Sequence, residues 1–115
     1  MEETQGDRQL FDGWMAAVSA GDRAAFACLY DRLKAPVYGL ALSILRVRDD
    51  AEDVMQNTFL RVWDCAGQYR PGTDARAWVL KITRNLALML LRTRRRSAEL
   101  GDWAESLTGS DEAAP

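Results

Sequence analysis

The sequence predicts an all-α protein, a compact bundle of about four main helices. Three observations carry that expectation. Apolar residues recur at helical spacing through most of the 115 residues. No run of alternating β-branched residues marks a strand. Glycine and proline cluster at a few separators, such as "AGQYRPGTD" at 66–74, and divide the periodic stretches into segments.

The first segment, "DRQLFDGWMAAVSAGD", reads as a short amphipathic helix with Leu10, Phe11, Trp14, Met15 and Val18 facing inward. Gly21 ends it, and Asp22 can cap the next helix. That helix, "DRAAFACLYDRLKAPVYGLALSILR", holds Pro36, which either starts a second segment or kinks one long helix. After "VRDD", Asp49 or Asp50 can cap the third helix. Thr73 or Asp74 can cap the fourth, "ARAWVLKITRNLALMLLRTRRR", the longest uninterrupted pattern. We therefore expect a helical domain over 1–98. The remainder, 99–115, is small and acidic and reads as a linker or disordered tail.

The third helix carries one residue out of place. With Asp53 at zero and about 100° per residue, Ala51, Val54, Met55, Thr58, Phe59, Val62 and Trp63 fill one arc. Asp53, Gln56, Asn57, Arg61 and Asp64 fill the other, and Leu60 falls among them. A helix with a complete apolar face has no core need for that leucine. It is either a lone exposed leucine or the anchor of an interface ringed by hydrogen-bonding groups.

Charge is unevenly spread. Residues 70–96 hold Arg70, Arg76, Lys81, Arg84, Arg92, Arg94, Arg95 and Arg96 against the single acid Asp74, a segment of +7 in a chain of net charge −2. On the fourth helix Ala75, Val79, Ile82, Leu86, Ala87, Met89, Leu90 and Leu91 make the apolar side. Lys81, Arg84, Asn85, Arg92 and Arg95 make the other. Four cations and an amide along about 20 Å suit a nucleic acid. They also suit a solvated face whose last turns favour cations. In the preceding loop, Tyr69 and Trp78 flank a turn with Arg70, Thr73 and Asp74. Such a mixture suits unstacked bases, although Trp78 equally fits the edge of a core.

Enzyme chemistry has little to work with. There is no histidine, so the usual general base is missing, and no phosphate loop or nucleophile elbow occurs. Cys28 and Cys65 do not supply a zinc tetrad and read as small buried hydrophobes. The acids of "DDAED" fall where carboxylates complement a helix N-terminus. We expect no enzyme activity, no cofactor and no metal. The polar, acidic start "MEETQGDRQL" is unlike a signal peptide. No apolar run approaches the roughly 20 residues of a membrane span. A cytoplasmic protein without membrane insertion is the expectation.

The pieces "GDRAAFACLYDRL", "VYGLALSILRVRDDAEDVMQNTFLRVWD" and "ARAWVLKITRNLALMLLRTRRR" together resemble region 2 of bacterial RNA polymerase sigma factors, most closely the extracytoplasmic-function (ECF) group. The resemblance covers residues 8–96. It implies a sigma region 2-like fold and a promoter-recognition module that binds polymerase core and the minus-ten element to start transcription. By motif, Asp53, Gln56, Asn57 and Leu60 would face a coiled coil of the polymerase largest subunit. Lys81, Arg84 and Asn85 would face promoter DNA, and residues 69–74 would form the loop that captures a flipped non-template base. An anti-sigma protein is an implied partner. The alternative is a regulatory domain that binds polymerase or an anti-sigma protein without reading DNA. Two positions depart from the family pattern: Asn57 stands where an acid is common, and Met89 where aspartate is frequent. Family members normally carry a second helical domain that reads the upstream promoter element.

Overall fold

The computed structural model describes residues 5–108, and side chains over 6–101. Four helices follow in order: α1 (Gln5–Ser19), α2 (Arg23–Leu45), α3 (Arg48–Cys65) and α4 (Ala75–Thr108), with a 3₁₀ turn at Ala66–Gln68. No strand occurs among the described residues. The all-α bundle expected from the periodicity is the observed fold.

Local chemistry sets the boundaries. Gly21, at φ 93°, turns the chain after α1. The Asp22 carboxylate accepts the amides of Ala24 and Ala25 at 2.9 and 3.2 Å, capping α2 as expected. Pro36 lies inside α2, which neither stops nor restarts there. Arg46 closes α2 in the left-handed region, at φ 62°, and its amide reaches the Leu42 carbonyl at 2.8 Å. The cap of α3 differs from expectation. Val47 holds the N-cap position without a side-chain bond, and Asp49 and Asp50 lie in the first turn. There they complement the positive end of the helix dipole, and Asp50 also pairs with Arg94 of α4 at 2.6 Å. Asp74 caps α4, its carboxylate accepting the Ala77 amide at 3.1 Å.

The core has two parts. Phe11, Met15 and Val18 of α1 join Leu29, Leu33 and Val37 of α2, Phe59 and Val62 of α3, and Val79 of α4. A smaller cluster joins Ala41 and Leu45 to Ala51, Val54 and Ala87. On α4 the fully covered positions are Ala75, Val79, Thr83 and Ala87, spaced four apart. Small residues at that spacing let α4 approach α2 and α3 closely. Thr83 meets Thr58 of α3, their hydroxyls 3.1 Å apart. Each also lies within bonding distance of its own preceding-turn carbonyl, Val79 and Val54. Two protons serve these three contacts, so at most two of the three hydrogen bonds form at once, and a cross-helix bond forms only when one hydroxyl turns from its carbonyl.

Three expectations change. Leu10 is exposed, because α1 packs along Phe11, Met15 and Val18, a line about 100° from it. Cys28 is exposed and Cys65 half-buried. The expected domain boundary at 98 falls inside α4, which continues to Thr108. Ala98, Glu99 and Leu100 are good helix formers, and extending an existing helix needs no new nucleus. Residues 109–115 of the expected tail lie outside the described residues.

Candidate polymerase and nucleic-acid faces

The two candidate faces sit on α3 and α4, which Thr58–Thr83 and Asp50–Arg94 hold together. On α3 the apolar arc is covered as the wheel requires: Ala51, Val54, Thr58, Phe59 and Val62 are buried. Asp53, Gln56, Asn57 and Leu60 are all exposed, and Leu60 is 62% exposed. Leu60 at i, with Asn57, Gln56 and Asp53 at i−3, i−4 and i−7, forms one continuous outward surface.

On α4, Lys81, Arg84, Asn85, Arg92 and Arg95 are exposed. From Lys81 to Arg95 the stripe runs about 21 Å at 1.5 Å per residue. Arg76 is half-buried near its start. Arg94, counted in the basic run, is engaged with Asp50. Met89 is 50% exposed beside this stripe, so the apolar stretch "LALMLL" leaves one large side chain uncovered.

The loop differs most from its sequence reading. Tyr69 is buried, 5% exposed, and is not an open stacking surface. Its hydroxyl donates to one carboxylate oxygen of Asp12 on α1. The Gly72 amide donates to the other at 2.9 Å. Gly72 lies at φ 91°, a conformation that suits glycine. Within the turn, the Thr73 hydroxyl donates to the Arg70 carbonyl at 2.7 Å. Asp74 pairs with Arg8 of α1 at 3.7 Å. Trp78 is half-buried and packs edge-on against Tyr69, ring centroids 5.6 Å apart. Arg70, Pro71, Gly72 and Thr73 remain exposed at the tip. Burial pushes the Tyr69 phenol above its ordinary 10.0, and the bond to Asp12 and that carboxylate's charge push the same way, against a smaller opposing effect of Thr73.

Asp12 is a loop-holding residue that sequence reasoning missed. It is 57 positions from Tyr69, and no local signal separates it from an ordinary polar residue of α1.

Fold and faces define a helical module with an outward polar surface centred on a leucine and a separate basic helix. The chain matches the family described as Sigma-70 region 2 over residues 29–97 and belongs to it. It is similar to the ECF RNA polymerase sigma factor SigK of Mycobacterium sp. strain KMS, 34% identical over 105 residues that make up 90% of this chain and 52% of that protein. SigK of Mycolicibacterium vanbaalenii is 32% identical over the same shares. SigK of Mycobacterium tuberculosis strain H37Ra is 34% identical over 82 residues, 70% of this chain and 44% of that protein. The chain spans about half the length of these curated relatives. No solved structure matches it. Among the described residues, no helix is long and apolar enough to cross a membrane.

Proposed function

We propose that this chain is the promoter-recognition module of an alternative, ECF-type sigma factor. The Leu60 face of α3 binds RNA polymerase core, on a coiled coil of its largest subunit. The α4 stripe and the 69–74 loop meet the minus-ten element of promoter DNA. The observation that carries this reading is the exposed Leu60 within Asp53, Gln56 and Asn57, on a helix packed against a basic one. An apolar anchor with a polar rim is suited to a protein partner. A stripe of cations is suited to phosphates.

The residues divide the work. Arg92 and Arg95, far along α4, neutralise phosphates and position the domain. Lys81, Arg84 and Asn85, nearer the loop, reach base edges, where arginine and asparagine discriminate best. Asp12 holds the loop from behind, so that its exposed tip, Arg70 to Thr73, meets an unstacked base in a fixed shape. Asn57, uncharged, gives a docking face with one acid fewer than the family pattern. An anti-sigma protein, the partner implied by the family, would act by covering either face.

Binding and transcription separate the parts. Leu60→Ala should weaken binding to polymerase core by about 1–3 kcal/mol while leaving thermal stability nearly unchanged. Asn85→Ala should leave core binding intact and alter promoter choice. Transcription that is independent of promoter sequence, with core binding intact, would instead support an interaction module that does not read DNA.

A further inference from the structure

Past Leu91 the arginine run of α4 leaves the bundle. Leu91 is half-buried, and every residue from Arg92 to Gly101 is exposed. Within that stretch, "RTRRRSA" at 92–98 places Arg94, Arg95 and Arg96 directly before Ser97. Two hydroxyls lie there, and they differ. The Thr93 hydroxyl donates to the Met89 carbonyl at 3.0 Å, one turn back. The Ser97 hydroxyl has no hydrogen bond among the described residues. Ser97 also shares a helix face with one arginine of the run, because residues three apart are neighbours and those one or two apart are not. That arginine is Arg94, which pairs with Asp50 of α3 at 2.6 Å, and the Asp50 side chain is only 13% exposed.

We propose that Ser97 is a phosphorylation site for an arginine-directed protein kinase, and that its phosphate draws Arg94 away from Asp50 and offsets the positive charge of α4. Kinases select substrates by charge pattern, and the guanidinium fork of arginine suits carboxylates in a kinase's peptide groove. Arg94 and Arg95 stand three and two residues before the acceptor. The segment can open locally to enter such a groove. Past Leu91 the helix buries nothing, so opening gives up only backbone bonds that water can replace. In the transfer, Ser97 Oγ bonds to the γ-phosphorus of a nucleoside triphosphate. The bond from that phosphorus to the β–γ bridging oxygen breaks, the diphosphate leaves, and the hydroxyl proton passes to the kinase's base. The phosphate adds about −1.5 to −2 of charge at neutral pH. It can take two parallel bonds from one guanidinium, so Arg94 exchanges a contact between helices for one within α4. The loss of DNA binding that follows rests on the proposed promoter reading; the loss of the α3–α4 link does not.

The test treats the full chain with ATP and a kinase catalytic subunit that selects Arg-Arg-x-Ser. Phosphate should enter at Ser97 and not at Thr93, located by mass spectrometry after cleavage beside acidic residues, which keeps the arginine run intact. Ser97→Ala should take up none. The phosphorylated chain should melt about 2–4 °C lower, the shift expected for one exposed ion pair. Asp50→Asn keeps every arginine, so it should still be phosphorylated, but without that drop. Binding to random-sequence duplex DNA should weaken roughly three- to tenfold, with a log–log salt dependence shallower by about 0.9. No phosphate at Ser97, a melting temperature that does not move, or an equal drop in Asp50→Asn would overturn the proposal. So would DNA binding that phosphorylation leaves unchanged. If the unmodified chain binds no DNA, yet uptake at Ser97 and the Asp50-dependent melting shift are as expected, promoter reading fails and the phosphorylation site stands.

Discussion

Replacing Asp12 by alanine removes both bonds that hold the 69–74 loop to α1. A hydrogen bond to a charged group contributes about 1.5–3 kcal/mol, and a buried polar group left unpaired costs about 1–3 kcal/mol. Tyr69 is buried, so its hydroxyl loses a partner that water replaces poorly. Gly72 is exposed, and water recovers most of its bond. The expected cost is therefore about 2–4 kcal/mol, dominated by Tyr69. At about 4 °C per kcal/mol for a domain of this size, the melting temperature should fall by roughly 8–16 °C. Tyr69→Phe should cost less, about 1 kcal/mol, because Asp12 is only half-buried and keeps the Gly72 amide. The double variant should then show coupling of about 1–2 kcal/mol. Calorimetry or circular dichroism gives the stabilities, and amide exchange at Gly72 and Thr73 reports the loop directly. An Asp12→Ala protein that melts within about 2 °C of the wild type, with exchange at Gly72 unchanged, would show that Asp12 does not hold the loop.

Because the Tyr69 phenol titrates higher in the folded chain than its ordinary 10.0, its contribution to stability is complete below pH 10 and is lost as pH rises through the folded value; alkaline unfolding of Tyr69→Phe should lack that component. Thr83→Val keeps shape but breaks the link to Thr58, while Thr58 still reaches the Val54 carbonyl at 2.8 Å, so urea unfolding should show a loss of only about 0.5–1.5 kcal/mol. Arg95→Ala should weaken binding to all DNA sequences about equally and reduce the salt slope by about one contact, measured by titration at several ionic strengths.

The features legible in the sequence are those set by local periodicity and capping. The wheel of α3 separated Leu60 from Phe59 and Val62 because a single helix face is decided by spacing alone. Asp22 was legible for the same reason, its partners lying two and three residues away. Tyr69 was not, because an aromatic residue in a loop reads the same whether it meets a base or the core, and Asp12 decides which from a distant helix. Thr83 was missed because a buried polar side chain needs a partner, and its partner Thr58 is 25 residues away. Leu10 shows the opposite error: the apolar arc admits it, but α1 packs along a neighbouring line and leaves it exposed.

The proposed function requires that α4 and its loop read promoter DNA when α3 is docked on polymerase. Competition between the non-template and template strands of a minus-ten element, for the chain bound to polymerase core, tests it most directly. The account predicts preference for the non-template strand, a change in base preference of about 1–3 kcal/mol in Arg84→Ala or Asn85→Ala, and a reduced preference in Asp12→Ala. Equal affinity for the two strands, unmoved by these substitutions or by Thr73→Ala at the loop tip, would contradict it.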